Sequence, residues 1–289
     1  MTGRVLLLGE FIASGGIGLQ GDIITVTALG GHALSIPTCL STSIIPGKRQ
    51  SCTIDPNFIR EQFKSCMENP GVNCIKIGAI PSLDVLNMVS ESLKALNTSA
   101  PVVLNPILTS EAGEYLLGVD AIQNYKLALL NKTDLLVVNI RDAELLSGHE
   151  IFDVQSMCEA AKKLYAMGPK AVLITGGLLS GNEFHDVLMT DAGEEVLSIK
   201  KNHVHNAQVY RFGGGWVLST AIAVSLAQNF DLKNAINRAR QFVDKAIGTS
   251  FNSDESYQCL NLAHTIHPFV HDNVSHVYKI IPGSKFKSP

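Results

Sequence analysis

Two glycine clusters are the residues whose types and spacing most plainly could do chemistry. Ser14-Gly15-Gly16-Ile17-Gly18 precedes Leu19-Gln20-Gly21-Asp22, and Gly213-Gly214-Gly215-Trp216 precedes Val217-Leu218-Ser219-Thr220-Ala221. Glycine tolerates unusual φ and leaves backbone N–H groups bare. At a helix start the macrodipole and the unpaired donors together attract an anion such as a phosphate. Neither cluster runs into Gly-Lys-Ser/Thr, so neither is a P-loop, and neither has the spacing of a dinucleotide fingerprint. A third feature is Asn139-Ile140-Arg141-Asp142-Ala143-Glu144-Leu145-Leu146. It sets an amide and two carboxylates after an apolar strand, at the end of the sheet where open α/β folds bind ligands. Such a group can hold Mg2+ through water and steer phosphate oxygens. The same residues also read as an ordinary helix start with Asn139 as cap.

These residues need a scaffold of strands that end at one edge and helices that begin there. Short Val, Ile and Leu runs predict strands over Arg4–Leu8, Ala33–Pro37, Cys74–Ile77, Pro101–Leu104, Leu135–Val138, Ala171–Ile174 and Val187–Thr190. Between them, 3.6-residue periodicity predicts helices over Leu19–Leu29, Pro56–Glu68, Leu83–Ala95, Arg141–Ser147, Val154–Tyr165, Trp216–Gln228 and Leu232–Ile247, with Asp153 and Asp231 as caps. Strand and helix alternate, which is the signature of a parallel sheet covered on both faces. With 289 residues and no Pro-rich or charged linker, one α/β domain over residues 1–250 is expected, followed by a tail over 251–289 that loses the pattern.

Composition excludes several classes. Hydrophobic residues make up 46% and charged residues 17% of the chain, which rules out a disordered protein. Lys and Arg number 23 against 26 Asp and Glu, without a basic stripe, so no nucleic acid is expected as partner. The first apolar run is too short for a signal or a membrane span, so no membrane association is expected. The six cysteines form no CxxC pair, and a reducing, cytoplasmic location follows. His264, His267, His271 and His276 crowd the tail, yet no Cys or Glu completes a ligand set, and surface roles are expected. Cys39, on an apolar strand, is expected to be a core thiol.

Seven landmarks in register resemble the hydroxymethylpyrimidine and phosphomethylpyrimidine kinases of the ribokinase-like superfamily. They are Gly16 to Asp22, Ala28-Leu29-Gly30, Ile75-Lys76-Ile77-Gly78, Asn105-Pro106-Ile107, Asn139 to Leu146, Gly176-Gly177 and Gly213 to Ala221. The resemblance implies a three-layer α/β/α ribokinase-like fold with a mainly parallel sheet, and a homodimer. It further implies an enzyme of thiamine biosynthesis that uses ATP and Mg2+ to phosphorylate a small pyrimidine and its monophosphate.

Carried over by position, the resemblance makes Gly213, Gly214 and Gly215 the anion hole and Trp216 the place of the usual Cys base. Ile17, Asp22, Ser43, Ala79 and Ile107 fall at substrate positions, and Asn139, Asp142, Thr175, Gly176 and Gly177 at nucleotide positions. Asp142 and Asn105 fall at the metal position, acting through water. The chain departs from the family at Trp216, whose indole cannot accept a proton, and at Ser43, Ala79, Asn105 and Thr175, where the family carries Gln, Met, Asp and Lys. Three readings stay open: a kinase of reduced rate, a catalytically inactive ligand-binding or regulatory protein on the same fold, and a kinase for another hydroxymethyl or vitamin B6 substrate. Trp216 itself reads either as a plug in the cleft or as a stacking platform for a planar ring.

Overall fold

Uninterrupted apolar runs bury both faces of a strand, and here they make the centre of the sheet: Val5–Leu8 and Val172–Ile174 are almost wholly inaccessible to solvent. The structure, a computed structural model, describes residues 2–13, 15–42, 50–68, 71–96, 98–109, 117, 121–177, 183–200, 214–252 and 258–266. In chain order the elements are β1 (Arg4–Ile12), α1 (Gly18–Ala28), β2 (His32–Ser41), β3 (Ser51–Thr53), α2 (Pro56–Glu68), β4 (Cys74–Ile77), α3 (Leu83–Ala95), β5 (Val102–Leu104) and α4 (Ala121–Leu129). After a 3-10 turn at Leu130–Lys132 come β6 (Leu135–Asn139), α5 (Ile140–Ser147), α6 (Val154–Tyr165), β7 (Val172–Thr175), β8 (Glu183–Thr190) and β9 (Gly193–Lys200). Then follow α7 (Gly214–Ala227), α8 (Leu232–Gly248), β10 (Phe251–Asn252) and β11 (Gln258–Cys259).

The main sheet has nine strands in the order β3-β2-β1-β4-β5-β6-β7-β8-β9. Its six central strands, β2 to β7 in space, run parallel, and antiparallel pairings add β3 at one edge and β8–β9 at the other. Alternate residues of each strand serve the two faces. Leu6, Leu8, Ile75, Ile77, Leu104 and Val138 pack under α2 to α6, while Val5, Leu7, Cys74, Val103 and Val137 pack under α1, α7 and α8. The three-layer α/β/α arrangement read from the sequence is the one observed.

Helix α7 is apolar on every side because it lies between the sheet and its two companion helices, α1 and α8. Asn139, Asp153 and Asp231 each accept a backbone N–H from the first turn of their helices, and Asp153 forms a capping box with Ser156.

Several elements differ from the sequence expectation. Periodicity did not mark α4, nor β3, which has three exposed polar or thiol residues. The strand expected at Val187–Thr190 begins at Glu183 and turns into β9. Beyond α8, β10 and β11 form a two-stranded ribbon, and Leu260 and Leu262 are buried in the α1/α8 layer.

Candidate functional site

The two glycine clusters lie where expected, at the starts of α1 and α7. Gly15, Gly16 and Gly18 take φ of 70, 77 and 63°, the left-handed region that side chains resist. A Cβ on Gly18 would also lie 2.5 Å from the carbonyl oxygen of Glu10, so the turn into α1 admits only glycine there. Ile17 is buried at the cap position of α1, in extended backbone. Gln20 clasps the end of β1 by accepting from the Ile12 N–H and donating to the Ile12 carbonyl. No described atom lies within 4 Å of a Cβ built on Gly15, Gly16, Gly214 or Gly215, although Gly214 itself is buried and Gly215 half-buried. Gly213 and Ser43 lie outside the described residues.

Beneath α7, polar side chains are embedded in an otherwise apolar layer. Lys76 lies between Ile75 and Ile77 on β4 but points to the opposite face, where its Nζ donates to Asp22 Oδ2 on α1 at 2.8 Å. Thr220 Oγ1 lies 2.5 Å from Asp22 Oδ1 and 3.1 Å from the Trp216 carbonyl oxygen. The neighbouring Ser219 Oγ lies 2.8 Å from that same carbonyl and 3.3 Å from Asn105 Oδ1. Asn105 Nδ2 donates in turn to the Val137 carbonyl at 2.9 Å. Each hydroxyl has one proton for two acceptors, so Thr220 bonds either Asp22 of α1 or the Trp216 carbonyl, and Ser219 either Asn105 or that carbonyl. Asp22, expected at the substrate, has one carboxylate oxygen on Lys76 and the other on Thr220. The indole of Trp216 is half-buried.

Asp142 occupies the first turn of α5 beside β5. Asn139 caps that turn by accepting the Asp142 N–H at 2.9 Å, and its Nδ2 donates back to Asp142 Oδ2 at 2.9 Å. Thr109 Oγ1 donates to Asp142 Oδ1 at 3.2 Å. Burial pushes the Asp142 carboxyl up to about 7, against the opposing pull of the hydrogen bonds from Thr109, Asn139 and the Leu108 and Thr109 backbone. Tyr125, fully buried on α4, has a hydroxyl with no hydrogen-bond partner among the described residues. Its pKa is raised by burial and then by the charge of Asp142.

The residues expected near a metal, acting through water, already have protein partners. Both Asp142 oxygens accept protein donors, the Asn105 amide is turned to Val137 and Ser219, and no cluster of three His, Cys, Asp or Glu side chains able to hold a metal occurs among the described residues.

At the end of β7, Thr175 Oγ1 donates to the Val138 carbonyl at 3.4 Å. Gly176 follows, buried so closely that a Cβ would lie 1.9 Å from the His185 carbonyl oxygen, and its N–H donates to Asp186 Oδ1 at 3.1 Å. Asp186 is ion-paired to Arg240 of α8. Gly177 is exposed with no described atom near. Ala79 is buried and its carbonyl accepts from Thr38 Oγ1 at 2.8 Å. Ile107 is half-buried. Cys39 is a buried thiol outside any disulfide, as expected, and His264 is half-buried against Phe242.

Sequence reasoning assigned no role to Lys76, Thr220, Thr109, Asp186 or Arg240. For Lys76 a signal was available: a lone charge inside a short apolar strand needs a buried partner. For the others the pairing is long-range and leaves no local trace.

The sheet order, the layers and the glycine start of α7 define a ribokinase-like protein. A model of the phosphomethylpyrimidine kinase family matches residues 13–261. The hydroxymethylpyrimidine/phosphomethylpyrimidine kinase of Aquifex aeolicus is 30% identical over 256 residues, covering 89% of this chain and 98% of that protein. Among solved structures, phosphomethylpyrimidine kinase from Clostridium difficile aligns with a TM-score of 0.74 at 26% identity, covering 84% of this chain and 99% of that one. Bacillus subtilis pyridoxal kinase in its ADP complex aligns with a TM-score of 0.81 at 26% identity, covering 91% and 98%. The chain belongs to the phosphomethylpyrimidine kinase family. No helix of the described residues is long and apolar enough to cross a membrane.

Proposed function

We propose that the protein is an ATP-dependent phosphotransferase of thiamine biosynthesis. In this reading it moves the γ-phosphoryl group of MgATP onto the hydroxymethyl group of a small pyrimidine, and then onto the resulting monophosphate. The observation that carries the reading is the glycine start of α7, joined to Asn105 through Ser219 and to Asp22 of α1 through Thr220. A helix N-terminus with bare amides is suited to the polyphosphate, and the ADP complex of the pyridoxal kinase neighbour supports a nucleotide on this fold. Thr175, Gly176 and Gly177 would line the nucleotide, and Ile17, Ala79 and Ile107 the ring, with Ser43 and Gly213 completing the two sides. Magnesium enters with the nucleotide, as part of the substrate. With family membership goes the proposal of a cytoplasmic homodimer, its domain spanning residues 1–250.

The chemistry is mostly positioning and charge stabilisation. In a loose transition state the bond to the attacking hydroxyl is barely formed, so little positive charge builds on its oxygen before the proton departs. Losing a positioned base at residue 216 therefore forfeits roughly 10²–10⁴-fold, not the whole reaction. Trp216 is the observation that favours a second reading, a ligand-binding protein without turnover. A coupled ADP-release assay with the hydroxymethylpyrimidine and with its monophosphate tests both. Pyrimidine-dependent ADP release supports the kinase; none above the blank, with ADP still bound, supports the binding protein.

A further inference from the structure

We propose that Lys76 is a positioning residue for the phosphate cradle, acting through Asp22 and Thr220. The proposal rests on the reading of α7 as a phosphate site. Lys76 and Asp22 are 2% and 3% exposed, so the pair carries both desolvation penalties inside an apolar layer. A buried pair of this kind is weak evidence for stability, because apolar side chains of similar volume usually do as well or better. Its geometry points elsewhere. A Cβ on Gly78 would lie 3.3 Å from Lys76 Nζ, so the ammonium sits just past the last residue of β4, at the ligand edge of the sheet. From there Asp22 Oδ2 accepts from the ammonium, and Asp22 Oδ1 accepts the single hydroxyl proton of Thr220, a residue of α7 itself, at 2.5 Å.

This chain of contacts does two things for an anion bound at Gly214–Trp216. It fixes where the first turns of α7 sit relative to β4, so that the amides are aimed before the ligand arrives. It also cancels the charge of Asp22. Without Lys76, an uncompensated carboxylate would lie below a site that must attract phosphate oxygens, opposing the helix dipole. The carboxylate is useful only because the ammonium is present, and the ammonium is usefully placed only because Thr220 passes its position on to the helix.

Trp216 gives a readout that does not need turnover, since it is the only tryptophan of the chain and lies in the cradle. ADP is titrated against its fluorescence in the full chain, well below the melting temperature of each variant. Thr220→Val, which removes the hydroxyl but keeps the shape, is expected to weaken ADP binding about tenfold, as the loss of one charge-assisted hydrogen bond would. Thr220→Ser is expected to restore it. Lys76→Met is expected to weaken ADP more than Thr220→Val does, and adding Asp22→Asn to Lys76→Met is expected to recover part of the loss by removing the stranded charge. A merely structural role would lower melting temperatures and leave ADP affinity alone. ADP affinity in Thr220→Val equal to that of the parent overturns the proposal, even if Lys76→Met fails to fold. A parent that binds no ADP overturns it too. A parent that binds ADP without turning over pyrimidine removes the kinase reading and leaves this one standing.

Discussion

Lys76 and Asp22 form a 2.8 Å ion pair that joins the middle of the sheet to α1, with neither side chain more than 3% exposed. Removing one partner strands the other charge in an apolar layer. Lys76→Met is expected to cost about 3–5 kcal/mol of folding stability. Lys76→Met combined with Asp22→Asn is expected to recover most of that loss. Urea denaturation of the parent, both single variants and the double variant measures the coupling; additive single effects would show that the two charges do not depend on each other.

Asp142 gives the molecule a pH dependence with a definite sign. Its carboxyl rises from an ordinary 3.8 to about 7 on folding because burial opposes ionisation. A raised acid binds its proton more tightly in the folded state, so the stability it contributes is present below about pH 4 and is lost as pH climbs through 7. Asp142→Asn lacks the titration. Between pH 5 and pH 8, without nucleotide, the parent is expected to lose at least about 1 kcal/mol relative to Asp142→Asn. Parallel stability curves for the two proteins would show that the hydrogen bonds of Thr109 and Asn139 outweigh burial.

Gly176 and Gly177 are adjacent and should answer alanine differently. A Cβ on Gly176 would run into the His185 carbonyl oxygen at 1.9 Å, whereas none of the described atoms comes within 4 Å of one on Gly177. Gly176→Ala is expected to cost about 1–3 kcal/mol as β7 and β8 are forced apart. Gly177→Ala should stay within about 0.5 kcal/mol of the parent. Thermal melts of the two variants decide it, and equal melting temperatures would contradict the close approach.

The resemblance to the family implies a proton acceptor at the position of Trp216. Trp216→Cys is expected to raise pyrimidine-dependent ADP release by about tenfold or more, part of the range a positioned base supplies. An unchanged rate would mean that proton removal does not limit this protein and that the indole has another purpose.

Much of the scaffold is legible in the sequence because it rests on local patterns. Pro56–Glu68, Leu83–Ala95 and Val154–Tyr165 carry strong apolar stripes and clear ends, and their observed bounds match the expected ones. Apart from Lys76, Cys74–Ile77 and Leu135–Val138 are apolar without alternation, as buried parallel strands are. The site is legible only in part. The glycine turns and Asn139 announce themselves through backbone chemistry. The partners of Asp22 do not, since Lys76 is separated from it by 54 residues and Thr220 by 198. An Asp four residues after Gly18 reads equally well as a ligand contact or as half of an internal ion pair; only the fold decides which atoms surround it. The same holds for Asn105, whose amide reads as a metal neighbour until β6 and α7 are placed around it.

The segment after α8 gives the glycine turn at α1 a late companion. Leu262 is buried and comes within 3.4 Å of where a Cβ on Gly21 would sit, Asn261 N–H donates to the Ala246 carbonyl, and Thr265 Oγ1 donates to the Ala28 carbonyl. Gly21 immediately precedes Asp22, so this helix start is braced by residues made some 240 positions later. During synthesis, β1 and α1 leave the ribosome with neither α7 beside them nor Leu262 against them. The glycine turn therefore takes its final support only after α8 has been made, and a nascent chain halted after α8 would hold the whole parallel sheet while its first phosphate-facing turn still lacked that brace.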